Sequence, residues 1–397
     1  MTEPSVEPAP GAVKASAPIL PQEGALARRR IVKALAWLSL LLLLLPPFVF
    51  GDDAFRLSLF AKYLALAVVA LGVDLIWGYT GLLSLGQGLY FSLGAYALAY
   101  CLELQQAAVE TNAPPGTVAP GFMNYTNLPT THPDYRPPAA LSVIAPLANA
   151  WTALAVAVVV PFVLAMLFGL VTFRLRIRGV YFALITQVLL LAVFTLVDNQ
   201  QPYTGGRVGI KNLADLRLFS FTFNAYRSHV RELYWLVAGV LAVCFIACAA
   251  LVRTKLGRIL TAIRDNENRV LALGYNTAMY KVFIFAFAGA LAGISGALYV
   301  AANQLCGPGY LDVGFSIEMV IFVAVGGRGT LFGALLGTLL VNFAKTRISE
   351  AYPNAWPIIL GLLFIGVVLF MPAGIVGSLR KLVARIQRGP APRPAVG

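Results

Sequence analysis

The sequence is poor in charged residues. Charged side chains make up 12% of its 397 residues and hydrophobic side chains 59%, whereas an ordinary soluble domain is about a quarter charged. A protein of this composition has too few polar residues to cover the surface of a soluble globular fold, so most of its surface must contact the lipid bilayer. The composition therefore predicts an integral membrane protein.

Motifs of nucleotide hydrolysis, hydrolytic catalysis and metal binding are also missing. No G-x-x-x-x-G-K-[ST] sequence occurs, so ATP hydrolysis through a Walker A loop is excluded. Neither a G-x-S-x-G elbow nor an H-E-x-x-H pair is present. The two histidines, His132 and His229, are isolated, and the four cysteines lack metal-ligand spacing. We predict no catalytic residue, no metal site and no cofactor bound by this chain itself.

The net charge of +13 does not indicate nucleic acid, because the basic residues fall in short clusters beside apolar runs. That distribution orients membrane helices with their basic loops in the cytoplasm. With both termini cytoplasmic, the clusters at 28–33, 174–178, 253–281 and 380–393 share the inner side. The segment 198–231 is an exception, since it carries five basic residues on the predicted outer side.

The hydrophobic runs predict an all-α integral membrane protein, a polytopic helical bundle of about 10 transmembrane segments with broken or re-entrant helices. Residues 1–27 form a predicted disordered cytoplasmic tail, 28–379 the transmembrane domain and 380–397 a basic cytoplasmic C-terminal tail. The candidate spans are 34–50, 57–77, 82–101, 141–173, 180–197, 233–252, 282–302, 315–325, 331–344 and 357–371. The pair within 315–344 is short and is divided by glycines, so it either spans twice or is partly re-entrant.

Polar residues inside these spans are candidates for a translocation path. The stretch 78–96, GYTGLLSLGQGLYFSLGAY, mixes glycines with hydroxyl groups and Gln87. Glycines there either allow close helix packing or let a helix break and expose its backbone to a solute. An ionisable group such as Asp74 normally faces the bundle interior, although capping a helix or pairing with Lys62 would also explain it. The predicted path residues are Asp74, Tyr79, Thr80, Ser84, Gln87, Thr186, Gln187 and Glu318.

A basic interruption between two apolar runs, 253–274 with sequence RTKLGRILTAIRDNENRVLALG, predicts a short helix with one face for a partner protein. Together with DLIWGYTGLLSLGQG, RGVYFALITQ, EMVIFVAVGGRGTLFGALLG and MPAGIVGSLR, it resembles the permeases of ATP-binding-cassette importers for branched-chain amino acids and urea. The resemblance runs from about residue 57 to 379. The run SIEMVIFVAVGGRGTLFGALLGTLLVNFAK is more similar to the second permease subunit of urea importers.

This resemblance implies a permease domain whose cytoplasmic coupling loop, 253–281, docks on an ATPase subunit. The implied docking residues are Gly257, Arg258, Ala262, Ile263, Arg264, Asp265, Asn266 and Glu267, with Gly274 closing the loop. It further implies a bacterial cytoplasmic (inner) membrane location and three kinds of partner: a second permease subunit, two ATP-binding subunits that hold ATP and Mg, and a periplasmic solute-binding protein. The lipid bilayer surrounds the chain, and no nucleic acid is involved.

The identity of the solute stays open between urea and a branched-chain amino acid. The urea-type pattern usually has histidine at the position of Gln87, and asparagines usually follow its external Gly-Gly pair, where this chain has Arg207-Val208. An autonomous channel or ion-coupled secondary transporter is the alternative of another class. An ion-coupled transporter is expected to carry a relay of several ionisable groups within the membrane, and this sequence offers only Asp74, Glu318 and Lys62. A membrane-embedded enzyme would need a nucleophile or metal constellation that the sequence lacks.

Overall fold

The computed structural model describes residues 53–123, 140–175, 177, 179–211, 213, 216–218, 221–223, 229–352, 356–370 and 374–378. The predicted tails, 1–27 and 380–397, and the predicted first span, 34–50, lie outside these residues.

The described residues are helical almost throughout. The helices are α1 (Ala54–Val73), continued by a π-helical turn (Asp74–Tyr79), α2 (Gln87–Thr111), α3 (Ala140–Ile144), α4 (Ala150–Arg174), α5 (Val180–Asn199), α6 (Gln201–Thr204), α7 (Val230–Arg253), α8 (Lys255–Ala272), α9 (Thr277–Asn303), α10 (Val313–Gly326), α11 (Leu331–Ala351) and α12 (Trp356–Phe370). Four short strands are described: β1 (Ile210–Lys211), β2 (Leu216–Leu218), β3 (Phe221–Phe223) and β4 (Leu305–Cys306).

Within the described residues, six helices are long and apolar enough to cross a membrane: Ala54–Tyr79, Ala150–Arg174, Val180–Asn199, Val230–Arg253, Thr277–Asn303 and Leu331–Ala351. Val313–Gly326 and Ile358–Val367 are shorter apolar helices. The chain is therefore a polytopic helical membrane protein, as its composition predicts. The figure of about ten spans stays a prediction for the full chain.

Two predicted spans differ from the observed helices for local reasons. The span predicted at 82–101 begins later, at Gln87, because the preceding segment follows a non-helical path in which Gly81 has a positive φ of 75°. The span predicted at 141–173 is interrupted before α4, where the Asn149 side chain accepts a hydrogen bond from the Trp151 amide and caps the new helix.

Helix α9 is the centre of the bundle and packs against α1, α2 and α4. Its small residues let the neighbouring backbones approach closely. A β-carbon at Gly94 of α2 would collide with the backbone of Gly293 in α9. The Ser295 hydroxyl of α9 donates a hydrogen bond to the Ala65 carbonyl of α1 at 2.6 Å. These contacts leave no room for a larger side chain at these positions.

The predicted pair within 315–344 forms two antiparallel helices. A β-carbon at Gly326 in α10 would meet the backbone of Gly333 in α11, and one at Gly337 would meet the backbone of Phe322, which fixes the antiparallel register. At 1.5 Å per residue the 14-residue α10 is about 21 Å long. That is short of the roughly 30 Å of hydrocarbon in a bilayer, whereas the 21-residue α11 is long enough.

The two ends of the bundle carry different structures. At one end, β1 pairs antiparallel with β4, so that Ile210 lies opposite Cys306. At the other end, α8, the π-turn of α1 and the loop between α10 and α11 lie together. We call the loop of residues 327–330 the glycine loop. It is also contacted by the helical turn 374–378, because a β-carbon at Gly374 would collide with Gly327.

Candidate functional site

Helix α8 contains the segment predicted to couple to a partner, and it is kinked in its second half. Asn266 has extended backbone angles, with φ −160° and ψ 96°, inside the helix. Its side chain accepts a hydrogen bond from the Arg269 amide at 3.2 Å, as the cap of a new helix would. Gly274, with φ 84°, ends the segment in the left-handed conformation that favours glycine. The coupling segment is therefore two short helices joined at Asn266.

The residues predicted to dock on a partner fall into different environments. Gly257 and Ile263 are buried, and a β-carbon at Gly257 would collide with the backbone of Val252. Glu267 is only partly exposed. The remaining predicted docking residues are exposed: Arg258, Ala262, Arg264, Asp265, Asn266 and Gly274. Docking stays a prediction, and the exposed subset is the part available for it.

Glu267 is held inside the protein by the start of α9. Its Oε1 atom lies 2.5 Å from Nζ of Lys281 and accepts a hydrogen bond from the Thr277 hydroxyl at 3.0 Å. The Lys281 side chain is only 5% exposed, and its Nζ lies 6.0 Å from the centre of the Phe173 ring. This ion pair attaches the second half of α8 to the base of α9. The sequence reasoning missed Lys281 as the partner of Glu267.

Arg264 reaches from α8 to the broken end of α1. Its Nη1 donates a hydrogen bond to the Gly78 carbonyl oxygen at 2.7 Å. Its Nε and Nη2 each lie 3.2 Å from Oδ1 of Asp265, so the guanidinium is held from two sides. The side chain remains 39% exposed. Arg264 thus links the coupling segment directly to the first of the two predicted helix breaks.

Asp74 connects the same π-turn to the glycine loop. The Gly329 amide donates a hydrogen bond to Oδ1 of Asp74 at 2.6 Å. Asp74 is fully buried, and its Oδ2 has no hydrogen-bond partner among the described residues. The guanidinium of Arg328 lies 5.2 Å from the centre of the Trp77 ring, within cation–π range. Asp74 therefore contacts the glycine loop and is not bonded to Lys62.

A second cluster surrounds the start of α2. The Leu85 amide donates to the Thr186 hydroxyl of α5, and the Gly88 amide donates to the Ser316 hydroxyl of α10, each at 3.1 Å. Gln87 lies between them and is buried, yet neither of its side-chain amide atoms has a hydrogen-bond partner within the described residues. An unpaired buried amide is costly, so this position is suited to bonding a polar solute.

The other predicted path residues are distributed around these two clusters. Thr80 and Ser84 are buried beside the break of α1; the Thr80 hydroxyl donates to the Ile76 carbonyl, and the Ser84 hydroxyl accepts from the Gly86 amide. Tyr79 and Gln187 are partly exposed.

Glu318 is engaged elsewhere, by an ion pair within the α10–α11 hairpin. Both of its carboxylate oxygens lie 2.8 Å from Nζ of Lys345. The Glu318 side chain is 7% exposed, and the Lys345 ammonium lies 5.9 Å from the centre of the Trp356 ring. Opposite charges in adjacent apolar helices were a signal for this pair in the sequence, and Lys345 was missed.

No metal site accompanies these clusters in the part of the chain that the structure describes, since no group of three or more His, Cys, Asp or Glu side chains is placed to hold an ion. The four cysteines, Cys101, Cys244, Cys248 and Cys306, are free and buried.

Comparison with known proteins places these features in a family context. Residues 55–371 match the family model described as branched-chain amino acid transport system / permease component. The high-affinity branched-chain amino acid transport system permease protein LivM of Escherichia coli K12 is 24% identical over 332 residues, which cover 79% of this chain and 68% of that protein. The ribose import permease protein RbsC of Haemophilus influenzae is 25% identical over 187 residues, 46% of this chain and 55% of that protein. No solved structure gives a significant match.

Proposed function

The chain belongs to the family of branched-chain amino acid transport system permease components, and from this membership we propose that it is the membrane-spanning subunit of an ATP-binding-cassette importer. It binds no cofactor of its own. A second permease subunit completes the translocation path, two ATP-binding subunits hold ATP and Mg, and a periplasmic solute-binding protein delivers the solute. The chain lies in a bacterial cytoplasmic membrane with both termini in the cytoplasm.

One observation carries this proposal: the exposed part of α8 is bonded to the broken end of α1, which is itself bonded to the glycine loop. The sequence has no Walker A motif, so in an ATP-driven importer the energy reaches this chain through a contact with another protein. Exposed residues such as Ala262 and Asp265 offer that contact, while Arg264 on the same helix reaches the Gly78 carbonyl. A partner's movement at α8 would therefore act on the broken segments, alternately opening the path to each side.

A charge substitution on the exposed face of α8 tests this coupling. We expect Ala262→Glu to reduce both solute uptake and co-purification of the ATP-binding subunits, with the amount of permease in the membrane unchanged. Val109→Glu, at an exposed position near the end of α2, is a control for adding a charge elsewhere on the surface. Unchanged uptake in Ala262→Glu would contradict the proposal. Solute flux through the purified chain in liposomes without ATP-binding subunits would favour an autonomous channel or an ion-coupled transporter.

For the solute, the geometry of Gln87 supports urea. Urea is neutral and needs paired donors and acceptors, and the buried Gln87 amide offers one unpaired donor group and one unpaired acceptor. An amino acid also needs partners for two charges. Glu318 is already neutralised by Lys345, whereas Asp74 accepts from the Gly329 amide through Oδ1 and keeps its Oδ2 unpaired among the described residues. Asp74 is therefore the one predicted path carboxylate left to meet an ammonium group, and the predicted path residues include no cation for the carboxylate of an amino acid.

The relatives support a branched-chain amino acid instead, because the LivM proteins are named for that transport and cover most of this chain. Uptake of radiolabelled urea and leucine, in cells with and without this chain, separates the two candidates. If urea is the solute, Gln87→Met lowers its uptake about fivefold, since a lost hydrogen bond is worth about 1 kcal/mol. Gln106→Met is the matched control, because Gln106 lies on the same helix, near its other end, and its amide nitrogen donates to Glu110. Leucine uptake that depends on the chain, without urea uptake, would overturn urea.

A further inference from the structure

The π-turn at the end of α1 is contacted by three residues from distant parts of the sequence. Its Gly78 carbonyl accepts from Arg264 of α8, its Asp74 carboxylate accepts from Gly329 of the glycine loop, and its Trp77 ring lies under Arg328. A π-helical turn inside an α-helix is rare and often marks a functional position. The turn is therefore a junction between α1, α8 and the α10–α11 hairpin.

The junction is packed tightly enough to transmit a displacement. A β-carbon at Gly78 would collide with the Asp74 carboxylate and with the Gly329 amide nitrogen. One at Gly81 would lie 3.0 Å from Cγ of Arg264, and one at Gly329 would lie 3.5 Å from its Nη1. The Arg264 side chain thus contacts both sides of the junction, and a shift of α8 cannot occur without moving it.

We propose that Arg264 is a positioning residue that transmits movement of α8 to the π-turn of α1 and to the glycine loop together. This role rests on the proposed function, and it differs from docking, because Nη1 of the guanidinium is bonded to the Gly78 carbonyl of the same chain while the side chain stays 39% exposed. Arg264 holds the Gly78 carbonyl, and Asp74 holds Gly329, so the two breaks move as one unit. Asp265 keeps the guanidinium oriented from the solvent side.

Hydrogen exchange on the full chain in detergent micelles tests the contact without any partner. The amides to follow are those of Gly81, Leu82 and Gly329, which donate to the Trp77 carbonyl, the Ile76 carbonyl and the Asp74 carboxylate. We expect Arg264→Ala to accelerate their exchange about tenfold or more, since a hydrogen bond to a charged group is lost. Arg264→Lys keeps one donor and should give an intermediate rate.

Arg269→Ala is the matched control, because Arg269 is an exposed arginine on the same helix that does not reach the junction. Exchange in Arg264→Ala that stays within twofold of the Arg269→Ala rate would overturn the proposal. This measurement is independent of transport, so it separates a failure of the Arg264 role from a failure of the proposed function.

The transport readout is the ratio of solute moved to ATP hydrolysed, measured on the complete importer in proteoliposomes. A transmission role predicts that Arg264→Ala lowers this ratio several-fold while the ATP-binding subunits still co-purify with the chain. Arg264→Lys should restore part of the ratio. Reduced co-purification, with an unchanged ratio in the importers that still assemble, would assign Arg264 to docking and overturn the proposal.

Discussion

Replacing Glu267 by methionine should destabilise the protein through the charge it leaves behind. Glu267 joins α8 to α9 through Lys281, with Oε1 and Nζ 2.5 Å apart. The Lys281 side chain is 5% exposed and the Glu267 side chain 17%. In Glu267→Met the Lys281 ammonium stays buried and loses its carboxylate partner. The centre of the Phe173 ring lies 6.0 Å from its Nζ. The cost should therefore come mainly from the uncompensated cation.

The magnitudes follow from the burial of each partner. Removing one member of a buried ion pair costs about 3–5 kcal/mol, and the partial exposure of Glu267 places Glu267→Met near the lower end, about 3 kcal/mol. Lys281→Met should cost less, about 1–2 kcal/mol, because Glu267 keeps the Thr277 hydroxyl as a donor and retains some water contact. The double variant should lie within about 1 kcal/mol of the wild type, since a buried pair replaced by apolar groups of similar volume is often neutral.

Reversible unfolding of the purified chain in mixed detergent micelles, followed by tryptophan fluorescence, measures all four proteins of this cycle. The expected signature is non-additivity: the double variant is more stable than Glu267→Met alone. A double variant that loses about 4–5 kcal/mol, the sum of the two single losses, would show that the residues do not interact and would refute the reasoning.

Three further predictions concern packing and capping. Gly94→Ala should lower stability by more than 2 kcal/mol in the same unfolding assay, because its β-carbon would enter the α9 backbone; Gly239→Ala, which has open space in α7, should raise it by about 0.5–1 kcal/mol. The four buried cysteines should resist maleimide in native micelles and all react after denaturation; rapid native labelling would contradict their burial. Asn266→Ala should cost about 1 kcal/mol and speed exchange of the Arg269 amide, whereas Asn266→Asp, which retains a capping oxygen, should not.

Much of the fold was predictable because hydrophobic length decides it. Apolar runs of about 20 residues must become helices in a bilayer, where each backbone group needs an internal hydrogen bond. The predicted runs at 180–197 and 282–302 accordingly agree with α5 and α9 to within a few residues. The breaks were also visible, since glycines cluster at 78–88 and 326–329. The hydrophobic runs do not indicate which residues of the chain contact each helix break.

The residues of α8 illustrate why the site was harder to predict than the fold. The sequence reasoning grouped the six residues 262–267 as one docking face, but successive residues on a helix point about 100° apart. They therefore cannot share a face, and Ile263 is indeed buried while Ala262 is exposed. The kink at Asn266 then turns Glu267 toward Lys281. The first effect is helix periodicity and could have been read from the sequence. The Glu267–Lys281 and Arg264–Gly78 contacts join residues 14 and 186 positions apart, and no local pattern records them.

Close backbone packing of the inner helices α1, α2 and α9 determines how far a displacement at Arg264 would spread. A β-carbon at Gly72 of α1 would lie 3.2 Å from the Ala288 carbonyl of α9, and one at Gly296 of α9 would collide with the backbone of α2. The membrane-spanning windows of α1 and α9 are 83% and 72% buried, whereas those of α4, α5 and α7 are 22%, 22% and 28% buried. Close backbone packing resists sliding, because any shift requires the contacts to separate. We therefore expect α1, α2 and α9 to move as one body, so that a displacement applied by Arg264 at the end of α1 is carried through the bundle and not absorbed locally.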